Sequence, residues 1–178
     1  MRQSSDIDLV NAAQAGDLES FGELGRRYFN VLVAIAYAVL GDHHLAEDAA
    51  QEALAKALVN LVKLRQTERF AGWLRRICQN VAHDMATRKT DQALTEDTAQ
   101  PARQGQGMDG DGAVKRALSR LSPEARELIV LRYYNDCSYE QISAVMGLSG
   151  PAINGRLTRA KQKLADYLKR HALAEDRL

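Results

Sequence analysis

The spacing of apolar residues in the first half of the chain predicts three long helices. In the first, apolar side chains recur every three or four positions after a capping residue, Asp17, and the pattern ends at Gly41. A second helix follows Asp42, and a third covers residues 69–89. Such spacing turns one face of each helix toward a common core. The residues expected in that core are Leu18, Phe21, Leu24, Tyr28, Leu32, Ile35 and Val39, then Leu45, Ala49, Leu54, Leu58 and Leu61, then Phe70, Leu74, Ile77, Val81 and Met85.

Capping residues in the second half predict three shorter elements. Ser122 and Pro123 start a helix that stops at Asn135. The stretch "SYEQ" forms a capping box ahead of a short helix that ends at Gly147, and Pro151 starts the final helix. A short helix, a glycine turn and a longer helix together predict a helix-turn-helix. Its final helix is expected to bury Ile153, Leu157, Ala160, Leu164 and Leu168.

Composition narrows the class of protein. The chain has 178 residues, 46% hydrophobic and 26% charged, which is typical of one globular domain or two small ones. Only three prolines and few β-branched runs favour an all-α fold. The longest apolar run, 29–40, is too short to span a bilayer, and no basic-then-apolar leader opens the chain. Two cysteines, Cys78 and Cys137, fit a reducing compartment, so we expect a cytoplasmic protein that is not itself a membrane protein.

The net charge of +1 hides a partition along the chain. Residues 1–89 carry eleven basic and eleven acidic side chains, whereas the segment 90–112 carries one basic and five acidic. That segment has hardly a large apolar residue, so it cannot bury enough surface to offset the cost of ordering it. We therefore predict two small helical domains joined by a flexible acidic linker, with boundaries at 1–89, 90–112 and 113–170 and a tail at 171–178.

Polar faces of the predicted helices carry the candidate binding chemistry. On the second helix Asp48, Gln51 and Glu52 share the face opposite the core. Around the third helix, seven basic residues face two acidic ones between Lys63 and Lys89. The outer face of the final helix suits the major groove of DNA, because arginine can pair with guanine, lysine neutralises phosphate and Asn or Thr can contact base edges. That face holds Asn154, Arg156, Thr158, Arg159, Lys161 and Lys163.

Three stretches resemble the extracytoplasmic-function (ECF) sigma factors, a group of the sigma-70 superfamily of bacterial RNA polymerase sigma factors. The segment "LSRLSPEARELIVLRYYNDCSYEQISAVMGLSGPAINGRLTRAKQKL" is similar to their region 4. "AEDAAQEALAKA" resembles region 2.2, and "FAGWLRRICQNVAHDMATRK" resembles regions 2.3 and 2.4. The resemblance implies a region 2 helical bundle, then a region 4 helix-turn-helix, in a subunit that recognises promoters and is not an enzyme.

The resemblance also implies partners for each surface. Asp48, Gln51 and Glu52 would dock on the β′ clamp coiled coil of core RNA polymerase, with the β flap as a further contact. The loop "KLRQTER" would receive a flipped-out base. Extruding a base costs energy, so a specific pocket is needed to offset that cost. Promoter DNA would bind through a minus-10 set, Lys63, Arg65, Arg69, Arg76, Asn80, His83 and Arg88, and through a minus-35 set, Asn154, Arg156, Thr158, Arg159, Lys161 and Lys163. An anti-sigma factor would hold the protein inactive.

The chain departs from the family pattern at the start of its final helix. Where relatives commonly show Gly-Thr-Val-Lys-Ser-Arg, this chain has "PAINGR", which removes a base-contacting Lys or Arg and a Ser. The acidic linker replaces the larger middle region of primary sigma factors, and by analogy it would thread toward the RNA exit channel.

Two other classes of protein stay open. One is a helix-turn-helix transcriptional regulator with an N-terminal helical sensing domain, although no strand-helix alternation suggests a phosphoacceptor fold. The other is a metal or thiol enzyme built on His43, His44, His83, Cys78 or Cys137, but these residues show no metal-ligand spacing. We therefore expect no catalytic residue, no metal site and no cofactor. Trp73 is interpreted as a core residue rather than a stacking platform.

Overall fold

The fold is all-α, as the sequence predicts. The structure is a computed structural model that describes residues 4–95 and 111–175. Short 3-10 segments at Leu61–Lys63 and Thr67–Arg69 lie between the third and fourth helices. Within the described residues the helices are α1 Asp6–Gln14, α2 Leu18–Leu40, α3 His43–Asn60, α4 Phe70–Thr95, α5 Asp111–Ser119, α6 Pro123–Ile129, α7 Tyr139–Met146 and α8 Gly150–Glu175.

Predicted caps set the helix limits in both halves. Asp17 accepts a hydrogen bond from the backbone N–H of Glu19 at the start of α2, and Gly41 ends that helix with a left-handed φ of 64°. The Ser138–Gln141 capping box is present at α7, with both reciprocal hydrogen bonds formed. These contacts satisfy backbone N–H groups that the first turn of a helix leaves without partners.

The first helix, α1, is an element that the apolar spacing did not indicate. Its cap is nevertheless local, because Ser5 Oγ accepts from the backbone N–H of Asp8 and the Asp8 carboxylate accepts from the backbone N–H of Ser5. Arg27 of α2 then donates to Asp6 over 2.8 Å, and Tyr28 donates to the same carboxylate. Burial raises the pKa of Tyr28, so this hydroxyl stays a donor. The two bonds fix α1 against α2.

Ala49 and Leu61 are buried as predicted, but the rest of the inward face of α3 differs from the one predicted. Five alanines of this helix are fully buried, whereas Leu58 is 39% exposed and Leu45 and Leu54 are half-buried. Small side chains let α3 approach α2 and α4 closely, and that close packing outweighs the larger apolar area of the leucines. The buried residues of α3 are Ala46, Ala49, Ala50, Ala53 and Ala57.

In the second half, α6 continues directly into a π-helical turn, Val130–Tyr134. The backbone N–H of Asn135 donates to the carbonyl of Val130 over 3.2 Å, which closes this wider turn. α8 packs against both α6 and α7, and Ile142, Ile153 and Leu157 are buried. The predicted inward positions Ile153, Leu157 and Ala160 of the final helix are buried, and Leu164 and Leu168 are half-buried.

The two halves of the chain pack against each other, and their buried apolar residues form one continuous cluster. Tyr37 of α2 stacks on Tyr134, with ring centroids 5.1 Å apart and planes 3° from parallel. Arg126 of α6 donates to the carbonyl of Ala38 in the last turn of α2. α7 lies beside α4, where an added Cβ at Gly72 would stand 3.7 Å from the carbonyl oxygen of Val145. The surfaces of both halves therefore lie close together.

The helices extend into the segments predicted as linker and tail. α4 continues to Thr95, α5 begins at Asp111, and α8 continues to Glu175. Adding a residue to an existing helix costs little, and Gln92, Ala93 and Leu94 are good helix formers. Residues 96–110 of the predicted linker lie outside the described residues, and the division into two domains stays a prediction.

Candidate nucleic-acid and polymerase interfaces

The alanine face of α3 determines which side chains this helix exposes. Because that face packs on α2 and α4, the opposite face points outward with Asp48 and Gln51 exposed. Glu52 is half-exposed and forms an ion pair with Lys56, whose Nζ lies 2.7 Å from Glu52 Oε1. The structure thus brings the three predicted docking residues together on one polar face.

The same face continues into an apolar patch that the sequence reasoning missed. Val59 is 75% exposed and Val62 is 71% exposed, and both lie along the line of Asp48 and Glu52 on α3 and the turn that follows it. The signal was present in the sequence, because Val59 falls on the polar face at helical spacing. An exposed polar and apolar face is the composition of a protein interface.

The 61–69 segment and the first turns of α4 enclose an open groove of about 560 Å³. Four of the predicted minus-10 residues line it, namely Lys63, Arg65, Arg69 and Arg76. Trp73 lines the same groove at half exposure, with its ring 6.0 Å from that of Phe70. Trp73 therefore packs on the core, as predicted, and its other side lines the groove.

A second groove of about 350 Å³ adjoins the first. Lys63 and Trp73 line both grooves, and the second one adds Asn60 and Asn80. Lys63 Nζ donates to Asn60 Oδ1 over 2.7 Å, which holds the lysine between the two grooves. An amide at position 80 beside an aromatic ring and a cation offers hydrogen bonding, stacking and charge to an unpaired base.

The other two predicted minus-10 residues lie outside these grooves. His83 and Arg88 are exposed further along α4, about two turns and just over three turns beyond Arg76. The structure places them along the same helix as Asn80 but does not bring them to the groove lining.

The final helix, α8, exposes most of the predicted minus-35 residues. With Ile153, Leu157 and Ala160 buried, the exposed positions are Asn154, Thr158, Arg159, Lys161 and Lys163. Thr158 Oγ1 donates to the carbonyl of Asn154, and Tyr139 of α7 donates to the side-chain oxygen of Asn154 over 3.4 Å. Arg159 lies near the centre of the outer face.

Arg156 lies differently from its neighbours on α8. It is half-buried on the flank of the helix, with Nη1 3.4 Å from Glu124 Oε2 of α6. Both side chains of this pair remain well solvated, so the pair is weak and can exchange for a phosphate or a base edge. The sequence pattern did not indicate this pairing, because 32 residues separate the partners.

A buried ion pair joins the two halves beside the larger groove. Arg75 Nε and Nη2 donate to the two oxygens of Glu127 at 2.6 and 2.8 Å, and Gln79 donates to Glu127 over 2.9 Å. Glu127 is only 2% exposed. Its hydrogen bonds raise the pKa of the Arg75 guanidinium above the ordinary value. Ala144 of α7 lines the larger groove, so the second half covers part of the candidate minus-10 surface.

The geometry of the cysteines argues against thiol chemistry. Cys78 Sγ is buried and donates to the carbonyl of Leu32 over 3.3 Å. Burial raises the pKa of this thiol to about 12, so it stays protonated near neutral pH and is a poor nucleophile. Burial also raises the pKa of Cys137. The buried thiols act as small apolar core residues.

No helix in residues 4–95 and 111–175 is long and apolar enough to cross a membrane. In the same residues, no three His, Cys, Asp or Glu side chains lie close enough together to hold a metal ion.

Comparison with known families finds two matching models. The model described as sigma-70 region 2 matches residues 24–92, and the model described as sigma-70, region 4 matches residues 111–164. The two matches follow the order of the predicted halves. Residues 4–23, which include α1, precede both of them.

Among curated proteins, the chain is similar to several sigma factors. It is 31% identical to RNA polymerase sigma factor CarQ of Myxococcus xanthus, over 86% of this chain and 91% of that protein. It is 31% identical to ECF RNA polymerase sigma factor SigE of Mycolicibacterium smegmatis, over 87% of this chain, and 30% identical to the probable RNA polymerase sigma factor RfaY of Xanthomonas campestris, over 88% of this chain. The chain spans 64% of the length of SigE and 42% of the length of RfaY.

Two solved structures share this fold. CnrH, in complex with the cytosolic domain of CnrY, gives a TM-score of 0.61 at 26% identity, covering 94% of this chain and 99% of that chain. The sigma factor RpoE, in complex with the anti-sigma factor NepR from Bartonella quintana, gives a TM-score of 0.51 at 27% identity, covering 83% and 97%.

Proposed function

Because this chain belongs to the extracytoplasmic-function group of the sigma-70 family, we propose that it is a dissociable subunit of bacterial RNA polymerase that selects promoters. It binds core polymerase, recognises the minus-35 element as duplex and the minus-10 element as melted strand, and leaves catalysis to the polymerase. Such a subunit works in the cytoplasm with the enzyme it directs.

One observation carries the proposal: two basic surfaces of different kinds stand on one chain. The groove of Lys63, Arg65, Arg69 and Arg76 adjoins an aromatic ring and suits unpaired bases, whereas the exposed face of α8 is a convex helix that suits a major groove. A regulator that only binds duplex DNA needs the second surface but not the first. The sigma-70 region 2 match over 24–92 also favours the sigma factor over a sensing domain.

We assign the remaining surfaces by the same reasoning. The face of Asp48, Gln51 and Glu52 docks on the β′ clamp coiled coil, and the second half contacts the β flap. RpoE binds an anti-sigma factor in its solved structure, and by similarity we propose that an anti-sigma factor holds this protein inactive. The proposed domains are those of the sequence prediction, 1–89 and 113–170.

The function is tested by run-off transcription with purified core polymerase on a genomic promoter library. We expect enrichment of one bipartite promoter, with two short conserved elements at a fixed spacing. Transcription no better than that of core polymerase alone would overturn the proposal.

A further inference from the structure

We propose that Gln14 of α1 is a positioning residue for the 61–69 loop, the segment that lines both grooves. The proposal rests on the proposed function, in which this loop receives an unpaired base. Gln14 does not line either groove. Instead, its side chain donates hydrogen bonds to the backbone of the turn that connects α3 to the loop.

The geometry of the contact is specific to a side-chain donor. Gln14 Nε2 lies 2.8 Å from the carbonyl oxygen of Leu61 and 2.8 Å from that of Leu64. The amide nitrogen has two hydrogens, so it can serve both acceptors at once. These acceptors lie 47 and 50 residues further along the chain, and all three groups are partly buried. One side chain thus clamps both ends of a four-residue turn.

The turn needs such a partner because of how α3 ends. α3 has no left-handed glycine at its C-terminus; the chain continues through the 3-10 segment Leu61–Lys63 and becomes extended at Leu64, with ψ 105°. The last carbonyls of a helix receive no hydrogen bond from within the helix, so they need donors from elsewhere. The backbone N–H of Leu64 donates to the carbonyl of Leu61, and Gln14 Nε2 donates to the carbonyls of both Leu61 and Leu64.

The clamped turn presents the residues that form the grooves. Lys63 lines both grooves, and Leu64 and Arg65 line the larger one. α1 also packs against the far end of the loop, at Thr67–Arg69. The whole base-receiving loop therefore rests on α1, which lies outside the part of the chain that matches sigma-70 region 2. We infer that base discrimination by the loop depends on the donor at position 14.

Three substitutions separate donation from packing. Gln14→Met keeps the side-chain length but has no donor, and Gln14→Glu directs a carboxylate at the two carbonyls. Gln14→Lys brings an ammonium group with three donors and can serve both carbonyls again. The exposed residue Asn11, on the same helix, provides the matched control as Asn11→Ala. If position 14 only fills space, the methionine variant will match the wild type.

Two measurements test whether these substitutions loosen the loop and change its base preference. The first is amide hydrogen exchange of residues 62–69. We expect about tenfold faster exchange in Gln14→Met and Gln14→Glu, and wild-type exchange in Gln14→Lys and Asn11→Ala. Exchange in α2 and α4 should be unchanged in all variants, which shows that the fold is intact.

The second measurement is the base preference that the full-length protein shows in a pool of random single-stranded DNA, with affinities determined from the fluorescence of Trp73, the one tryptophan of the chain. Gln14→Met and Gln14→Glu should still bind DNA, but the ratio of their affinities for preferred and other bases should fall about tenfold. Gln14→Lys should show the wild-type ratio. Unchanged exchange in the first two variants, or faster exchange with an unchanged preference, would overturn the role of Gln14. If the wild type shows no preference, the proposed minus-10 function fails, and the exchange result still decides whether Gln14 positions the loop.

Discussion

At the residue scale, the chemistry of α8 separates base reading from backbone binding. Arg159 is exposed near the centre of the outer face, Lys163 is exposed one turn further on, and Arg156 is engaged with Glu124. An arginine can form two directed hydrogen bonds to one guanine, whereas a lysine acts on phosphate as a point charge.

We therefore expect Arg159→Ala to lower binding by about 1–3 kcal/mol at one base pair of the minus-35 element and to relax the preference there. Lys163→Ala should lower affinity for all sequences alike and reduce the salt slope by about one. Binding across a randomised minus-35 library at two salt concentrations measures both effects. Arg26→Ala, which removes an exposed charge from α2, is the control. An unchanged preference in Arg159→Ala would show that α8 contacts only the DNA backbone.

The buried thiol of Cys78 predicts a pH dependence of stability. Burial raises its pKa from 9.0 to about 12, so between these pH values the folded chain holds a proton that the unfolded chain releases. Stability then falls as pH rises through this window, by up to about 1.4 kcal/mol per pH unit. Cys78→Ala should make the free energy of unfolding, measured in urea from about pH 8 to pH 11, fall less steeply. A slope equal to that of the wild type would exclude this thiol as the titrating group.

At the element scale, the alanine face of α3 allows close packing against α2 and α4, and this close packing leaves no room for larger side chains. Ala53 is fully buried, while Ala55 is exposed two positions later on the same helix. We expect Ala53→Leu to lower the free energy of unfolding by about 1–3 kcal/mol, because added methylenes must displace α2 or α4. Ala55→Leu, the matched control, should change it by less than about 0.5 kcal/mol. Urea unfolding of the two variants tests this, and equal effects would contradict the observed orientation of α3.

The exposed face of the same helix predicts a polymerase contact. Reversing the charges in the double variant Asp48→Lys and Glu52→Lys should abolish co-purification with core RNA polymerase while the helical circular dichroism signal is unchanged, because like charges across an interface repel. Glu140→Lys reverses an exposed charge on α7 and should retain binding. Full binding by the double variant would place the polymerase contact elsewhere.

Local signals in the sequence were sufficient to predict most helices but not their contacts. Asp17, Ser138 and Gly147 act through neighbours within four residues, so their roles could be predicted. The inward face of α3 could not, because hydrophobicity favours leucine whereas the distance between packed helices favours alanine. Contacts such as Gln14 with Leu61, or Arg75 with Glu127, join residues about fifty positions apart, and no local pattern indicates them. Local spacing could therefore predict which helix faces carry the binding residues, but not which distant residues of the chain these side chains contact.

At the scale of the whole molecule, the ion pair between Arg75 of α4 and Glu127 of α6 joins the two halves, and we expect it to limit access to the larger groove. Glu127→Ala leaves Arg75 and Gln79 without their shared acceptor, so we expect the free energy of unfolding to fall by about 1–3 kcal/mol. The exposed Glu124→Ala is the control and should have a much smaller effect. Urea unfolding provides the measurement, and equal losses in the two variants would contradict this role of the buried pair.

The same substitution should improve access to the groove. Ala144 lines the groove together with Arg65 and Arg76, so weaker packing of α7 leaves more of it open. We expect Glu127→Ala to bind single-stranded DNA more tightly than the wild type in a titration of Trp73 fluorescence, and Glu19→Ala, which removes an exposed carboxylate of α2, to bind it equally. Equal affinity of Glu127→Ala and the wild type would show that the position of α7 does not limit access.

The π-helical turn at Val130–Tyr134 has a consequence for how chains of this kind can vary in length. Such a turn accommodates one residue more than an α-helical turn does. A homologue with a single-residue deletion here would close the turn as an ordinary α-helix. The extra residue of the wider turn would be lost, so the side chains on either side of it would keep nearly their present directions about the axis, and the ring of Tyr134 would still face Tyr37. Loss of one residue between Ile129 and Asn135 would therefore leave unchanged the residues through which the two halves meet.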